Sequence, residues 1–328
     1  MKRMLGLGLA VALICFGGSA AAADYTMRIS HQLPPTHHVA KALDQFAKDV
    51  EKNTGGKVDV QVFGSEQLFK AAQNHAAVAR GQVEAAAIVS LSWTSTIPEM
   101  AITSVPFLMT HTKQLRQFAT SDAAKLLNAK MESKGVHNIA WLVDANDAVF
   151  TSSKAPLVKP DDFKGVKIRG FSKLFDTCLT AMGASPSAMP GSEVYQALQT
   201  GVLDAGITSL SAAYARRYYE VQKFGVATPL LTVYETLVVN PEWWGKLPPD
   251  VQKGIETAAQ KAEETLMPKS DSVSAEEVAR LREKGMDVIV LTPAQEMDLE
   301  QVMQPTVLKA FNASSPDAPK LVEMIRKL

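Results

Sequence analysis

Residues 160–206 read PDDFKGVKIRGFSKLFDTCLTAMGASPSAMPGSEVYQALQTGVLDAG. Pro160-Asp161-Asp162 is a turn, because Pro presets φ and Asp hydrogen-bonds the backbone just ahead of it. Through Lys164-Gly165 it leads into a short apolar-basic strand, Val166 to Arg169. A helix is predicted over Ser172 to Met182, stopped by Gly183. A second turn, Pro190-Gly191-Ser192, opens an amphipathic helix to Thr200, and Gly201 closes it before a strand from Leu203 to Thr208. Strand, helix and strand in this rhythm make α/β units on a mostly parallel sheet.

The same rhythm extends in both directions. Tyr25 to Ser30 is strand-like. His38 to Asn53 places Val39, Leu43, Phe46 and Val50 on one helical face, and Gly55-Gly56 ends it. Val58, Val60 and Val62 alternate with polar residues, as a half-buried strand does. Glu66 to Arg80 is predicted helical, Ala85 to Val89 a buried strand, and Val136 to Val143 another. Thr236 to Asn240 is a strand, and a long helical run is predicted from Asp250 towards Ala279. Met286 to Leu291 is a late strand, Thr292-Pro293 caps a helix behind it, and Leu321 to Leu328 is a last helix.

The ends and the composition bound what the chain does. Lys2 and Arg3, an apolar stretch from Leu5 to Phe16 and Ala21-Ala22-Ala23 make a cleavable signal peptide over residues 1–23. The apolar stretch is shorter than the ~20 residues of a spanning helix. Export to the periplasm is therefore expected, with no stable membrane insertion of the mature chain. With Lys2 and Arg3 removed from a chain of 34 basic and 34 acidic residues, the formal charge is near −2, and no basic face speaks for nucleic acid. Cleavage after Ala23 leaves 305 of the 328 residues, enough for two domains at ~150 residues each. Cys178 is then the one cysteine, in an apolar helix, which excludes an intramolecular disulfide.

Several segments together resemble the solute-binding proteins of TRAP transporters, the group often labelled C4-dicarboxylate binders. They are GSEQL (Gly64–Leu68), VPFLM (Val105–Met109), the KGVKIR strand (Lys164–Arg169), SEVYQALQTGVLD (Ser192–Asp204) and VVNPEWWGKLPPDVQKGI (Val238–Ile255). The resemblance implies a two-lobed periplasmic-binding-protein fold, with a ligand cleft between α/β lobes and a long helix spanning them. By analogy the chain crosses between lobes near Asp144 to Asp147 and near Leu231 to Tyr234. Residues 24–146 with 235–274 are assigned to an N-terminal lobe, and 147–234 with 275–328 to a C-terminal lobe. The implied function is an extracytoplasmic receptor, expected to be monomeric, that hands a small organic acid to TRAP membrane subunits. A sensory receptor for a membrane kinase and a periplasmic enzyme remain alternatives.

Arg169 is the residue on which this reading rests. A guanidinium is always charged and its planar fork matches a carboxylate; the resemblance places it on the ligand. The competing reading is a surface arginine paired with Asp161 or Asp162. Where many relatives carry a second arginine this chain has Ala148, near Asn146; a family aromatic is Gly191, and a family Asn is Thr208, followed by Ser209. These departures predict a monocarboxylate held by one arginine and neutral donors. Further cleft candidates are His31, Ser90, Trp93 and Tyr234. His31 is equally readable as a loop-bound histidine and Trp93 as a core residue. Trp243-Trp244 read as a packing pair.

No metal or cofactor is expected, because adjacent His37 and His38 rarely chelate one ion and no paired ligand spacing occurs. No Gly-x-Ser-x-Gly elbow or phosphate loop is present. An enzyme would need Glu193 or His31 as its acid or base, and Glu193 is already explained by its place at a helix start.

Overall fold

The structure is a computed structural model that describes residues 23–328; the expected signal peptide, Ala23 aside, lies outside them. Its strands are β1 (Tyr25–Ser30), β2 (Val58–Phe63), β3 (Ala85–Val89), β4 (His137–Ala145), β5 (Ala148–Ser152), β6 (Lys167–Gly170), β7 (Ser185–Ala188), β8 (Ala205–Thr208), β9 (Phe224–Thr228), β10 (Val233–Val239) and β11 (Asp287–Val290). They form two sheets. The first runs β2-β1-β3-β10-β4 and the second β11-β9-β5-β8-β6-β7.

The chain passes from the first sheet to the second at Asn146-Asp147 and returns over residues 229–232. These crossings break the expected parallel order. β10 runs antiparallel to β3 and β4, and β5 antiparallel to β8 and β9. A strand arriving from the other lobe enters its sheet from the gap side, so it must run against strands that end there. The remaining pairs, β1 with β2 and β3, β6 with β7 and β8, and β9 with β11, are parallel.

Three predicted helices are redrawn by local chemistry. Over residues 66–80, Ser65 and Glu66 take positive φ, and the Glu66 carboxylate accepts the Ala71 N–H at 2.8 Å. That cap delays the α-helix to Asn74–Ala79. The helix predicted from Ser172 starts at Asp176, because the Asp176 carboxylate turns back to accept the Phe171 N–H at 2.9 Å. The run from Asp250 splits into Pro249–Leu266 and Ala275–Glu283. Pro268 forces the residue before it out of helical geometry, and Met267 is extended at φ −65° and ψ 128°.

The helix that reaches both lobes is therefore Pro293–Asn312, capped by Thr292 as predicted. Its Leu299, Met303, Val307 and Phe311 recur every four residues on one buried face. They join a hydrophobic cluster that holds Phe163, Phe175 and Leu179 of the second lobe and Met100 and Ile102 of the first. Gln304 also donates to the Pro106 carbonyl at 2.8 Å. The last helix, Ala318–Arg326, packs against first-lobe segments Asp122–Glu132 and Pro98–Ser104. Lys130 fixes it there, 2.6 Å from both Glu99 and Asp317. This corrects the expected boundary, which put residues 275–328 wholly in the second lobe. Two apolar faces on one chain end, one per lobe, account for it.

Candidate functional site

A cavity of about 550 Å³ opens between the lobes. Arg169 forms its second-lobe floor. The arginine ends β6, between β7 and β8, and its side chain lies along the ends of both neighbours. Nη1 donates to the Ile207 carbonyl at 2.6 Å; Nε and Nη2 donate to the Met189 carbonyl at 3.4 and 3.2 Å. The Phe171 ring covers the guanidinium with its centroid 4.6 Å from Cζ. Three of five N–H donors are thus used, leaving one on each terminal nitrogen. Burial lowers the guanidinium pKa to about 10, so it stays charged at neutral pH.

The surface-pairing alternative is excluded by where the two aspartates go. Asp161 pairs with Lys164 at 2.8 Å, and Asp162 accepts the Val158 and Lys159 N–H groups.

A second cation reaches the same cavity. Arg216 ends the helix Leu210–Ala215, whose start is held by Ser209, accepting the Ala212 N–H, and by Asp147, accepting the Leu210 N–H. Burial raises the Asp147 carboxyl to about 6. The Arg216 guanidinium lies over Gly191: a Cβ placed on Gly191 would stand 2.8 Å from Arg216 Cζ. Absence of a side chain at 191 is what admits it.

The first-lobe wall is acidic. Asp144, near the end of β4, and Glu235, on β10 with Val233 on the same face, line the cavity together with Gln32. Burial and the nearby Asp144 hold the Glu235 carboxyl well above the ordinary carboxylate range, with Arg216 opposing.

Residues 29–314 match the family model for bacterial extracellular solute-binding proteins, family 7. The chain belongs to this family. The C4-dicarboxylate-binding periplasmic protein DctP of Rhodobacter capsulatus is 31% identical over 261 residues, 78% of each chain. A TRAP periplasmic solute binding protein from Sulfurospirillum deleyianum, crystallised with bound succinate, superposes with a TM-score of 0.83 at 27% identity, covering 92% of this chain and 99% of that one. One from Desulfovibrio salexigens with bound orotic acid gives 0.83 at 26% identity, covering 92% and 98%. The fold is that of the two-lobed TRAP binding proteins.

Of the residues expected at the family's cleft, Arg169, Thr208 and Ser209 line the cavity. The other five are used elsewhere. His31 is buried and its Nδ1 accepts the Leu33 N–H at 3.1 Å; burial lowers its pKa to about 4, so it stays neutral. Its neighbour Gln32 faces the cavity instead. Ser90 accepts the Tyr234 N–H and the Thr103 hydroxyl, both at 3.3 Å. Trp93 is core, donating to Thr236 Oγ1 at 2.9 Å. Asn146 donates to the Thr110 carbonyl at 3.3 Å. Tyr234 stacks on Phe118 at 5.0 Å, on the face of β10 turned away from the cavity. Ala148, at the family's second-arginine position, is fully buried in β5. The expectation of one cavity cation is thereby corrected, since Arg216 and Lys173 also line it.

His37 and His38 do come together, with Asp144: one donor atom from each lies within 4.8 Å of the others. Adjacency did not prevent this, because the two rings stack at 4.6 Å. His37 Nδ1 accepts the Val39 N–H, so the ring proton sits on Nε2, which presents an N–H to the cluster instead of a lone pair.

Sequence reasoning missed Arg216, Asp144 and Glu235. Gly191→Ala tests the first. The obstructed atom ends a flexible side chain, so it swings aside at small cost to stability but leaves the cavity wall. Calorimetry is expected to show the affinity for the bound acid falling about tenfold, the ~1.4 kcal/mol of one charge-assisted contact, with Tm little changed. Unchanged affinity would show that Arg216 does not touch the ligand.

Proposed function

We propose that this chain is a periplasmic receptor for a small acid with one carboxylate, which it delivers to a TRAP-type membrane permease. Ligand enters between the lobes, the carboxylate meets Arg169, and the crossings at 146–147 and 229–232 act as hinges for closure. The observation that carries this is the pair of unused Arg169 N–H donors at the floor of an interlobal cavity. A carboxylate there accepts two parallel charge-assisted bonds. Across the cavity stands Asp144, beside Glu235, and its carboxylate would repel a second one. Membership in a family of solute-binding proteins, with structures holding succinate and orotic acid, supports the acid-receptor reading. Catalysis would rest on His31 or Glu193, and neither lines the cavity.

A thermal-shift panel of small organic acids tests the reading. Monocarboxylates are expected to raise Tm more than succinate or fumarate. Ligand at a hundredfold excess over Kd adds ~2.7 kcal/mol to the folded state, ample for detection. A panel led by C4-diacids refutes the single-carboxylate reading.

A further inference from the structure

The cavity's first-lobe wall carries buried acceptors that lack donors, alongside the hydroxyls of Ser92, Thr94 and Ser95. Glu235 is fully buried, and neither carboxylate oxygen has a hydrogen-bond partner among the described residues. Gln32 Oε1 and Asp144 Oδ1, on the same wall, also lack one. His37 Nε2 stands 3.5 Å from Asp144 Oδ1, beyond the usual hydrogen-bond range of about 2.7–3.2 Å. Buried acceptors without donors are costly, and the residues that carry these line the cavity. The opposite wall carries Arg169, Arg216 and Lys173. The cavity is therefore dipolar in its ionisable groups, basic on one side and acidic on the other.

Resting on the acid-receptor reading, we propose that the ligand is a small amino acid in the broad chemical sense: its carboxylate meets Arg169 and Arg216, and its protonated amino group lies against Glu235 and Asp144. An ammonium brings three donors to those acceptors. A hydroxyl brings one, and a hydrocarbon end none.

The proposal fixes the sign of a pH effect. The charged groups around Glu235 are Asp144 from β4 and Arg216 from the second lobe; beyond Asp144 stand His37 and His38 at the start of the helix His38–Asn53. Burial and Asp144 raise its pKa in the empty site, which favours the protonated Glu235 carboxyl. An ammonium displaces that proton, so binding releases it and affinity rises with pH. A plain acid that used the Glu235 O–H as donor would bind more weakly as pH rises.

Calorimetry with pentanoate, 5-hydroxypentanoate, 5-aminopentanoate and 2-aminopentanoate, at pH 6 and pH 8, decides the matter. One amino probe is expected to bind at least about tenfold more tightly than pentanoate, a gap of ~1.4 kcal/mol, and more tightly at pH 8. Glu235→Gln, which keeps the shape and removes the charge, is expected to erase that gap. If the variant fails to fold, proton release by the wild-type protein, measured in buffers of different ionisation enthalpy, gives the same answer. Pentanoate or 5-hydroxypentanoate matching both amino probes, or a preference that survives in Glu235→Gln, overturns the proposal. Binding of pentanoate alone, lost in Arg169→Ala, overturns it while leaving the acid receptor standing; binding of none of the four overturns both.

Discussion

Arg169→Ala is expected to raise the Kd for the best acid of the thermal-shift panel at least about 100-fold, or ~2.7 kcal/mol, in a protein that still folds. The magnitude follows from what one residue supplies. Two N–H groups remain for a ligand after the Ile207 and Met189 carbonyls have taken three. Each charge-assisted bond contributes ~1.5–3 kcal/mol net, and the Phe171 ring covers one face of the guanidinium that makes them. Arg169→Lys separates charge from geometry. An ammonium keeps the charge but has no planar fork, and it cannot reach both carbonyls and both carboxylate oxygens. Lys is therefore expected to recover only part of the loss. Truncation also strips the Ile207 and Met189 carbonyls of their donor, so the free variant should melt somewhat lower. Circular dichroism establishes that it is folded before calorimetry is read. Near-native affinity in folded Arg169→Ala would remove the guanidinium from the site altogether.

What could be read in advance differs residue by residue. The helix His38–Asn53 is legible because Val39, Leu43, Phe46 and Val50 repeat on one face and all four are buried; its stability is local in pattern. Arg169 is legible because a cation ending an apolar parallel strand has one natural direction to point, the crevice beyond the strand end. Arg216 is not. Two adjacent arginines in a Tyr-rich polar segment look like a solvated face, and Arg217 is just that, exposed and paired with Glu220. Only the fold shows that Arg216 turns the other way, over Gly191. Glu235 did leave a signal. It is the one charged residue between Leu230 and Val239, and a charge inside an apolar strand is seldom buried without a partner. The turn at Glu66 and the late start at Asp176 were illegible for a shared reason. In each, a carboxylate accepts a backbone N–H five residues away, and helical periodicity carries no trace of such a contact.

The Asp176 contact carries the second large expected effect. Gly170→Ala should cost about 2–4 kcal/mol of stability, combining overpacking with loss of the part-buried bond from the Phe171 N–H to Asp176. A Cβ on Gly170 would lie 2.0 Å from Asp176 Oδ1 and 2.4 Å from its Cγ. Unlike the arginine over Gly191, this carboxylate has little free room: a single methylene ties it to the backbone of a short helix, and it already holds the Phe171 N–H. Burial raises its pKa to about 6. The strand end bearing Arg169 and the ring that covers it must therefore shift together, so ligand affinity falls along with Tm. A double-mutant cycle isolates the cause. Asp176→Ala alone loses the bond to the Phe171 N–H, but in its background Gly170→Ala meets no carboxylate and should cost well under half as much, since residues in contact are not additive. Additive losses across the cycle would mean that glycine is needed at 170 for the backbone itself, and that Asp176 has no part in holding Arg169 in place.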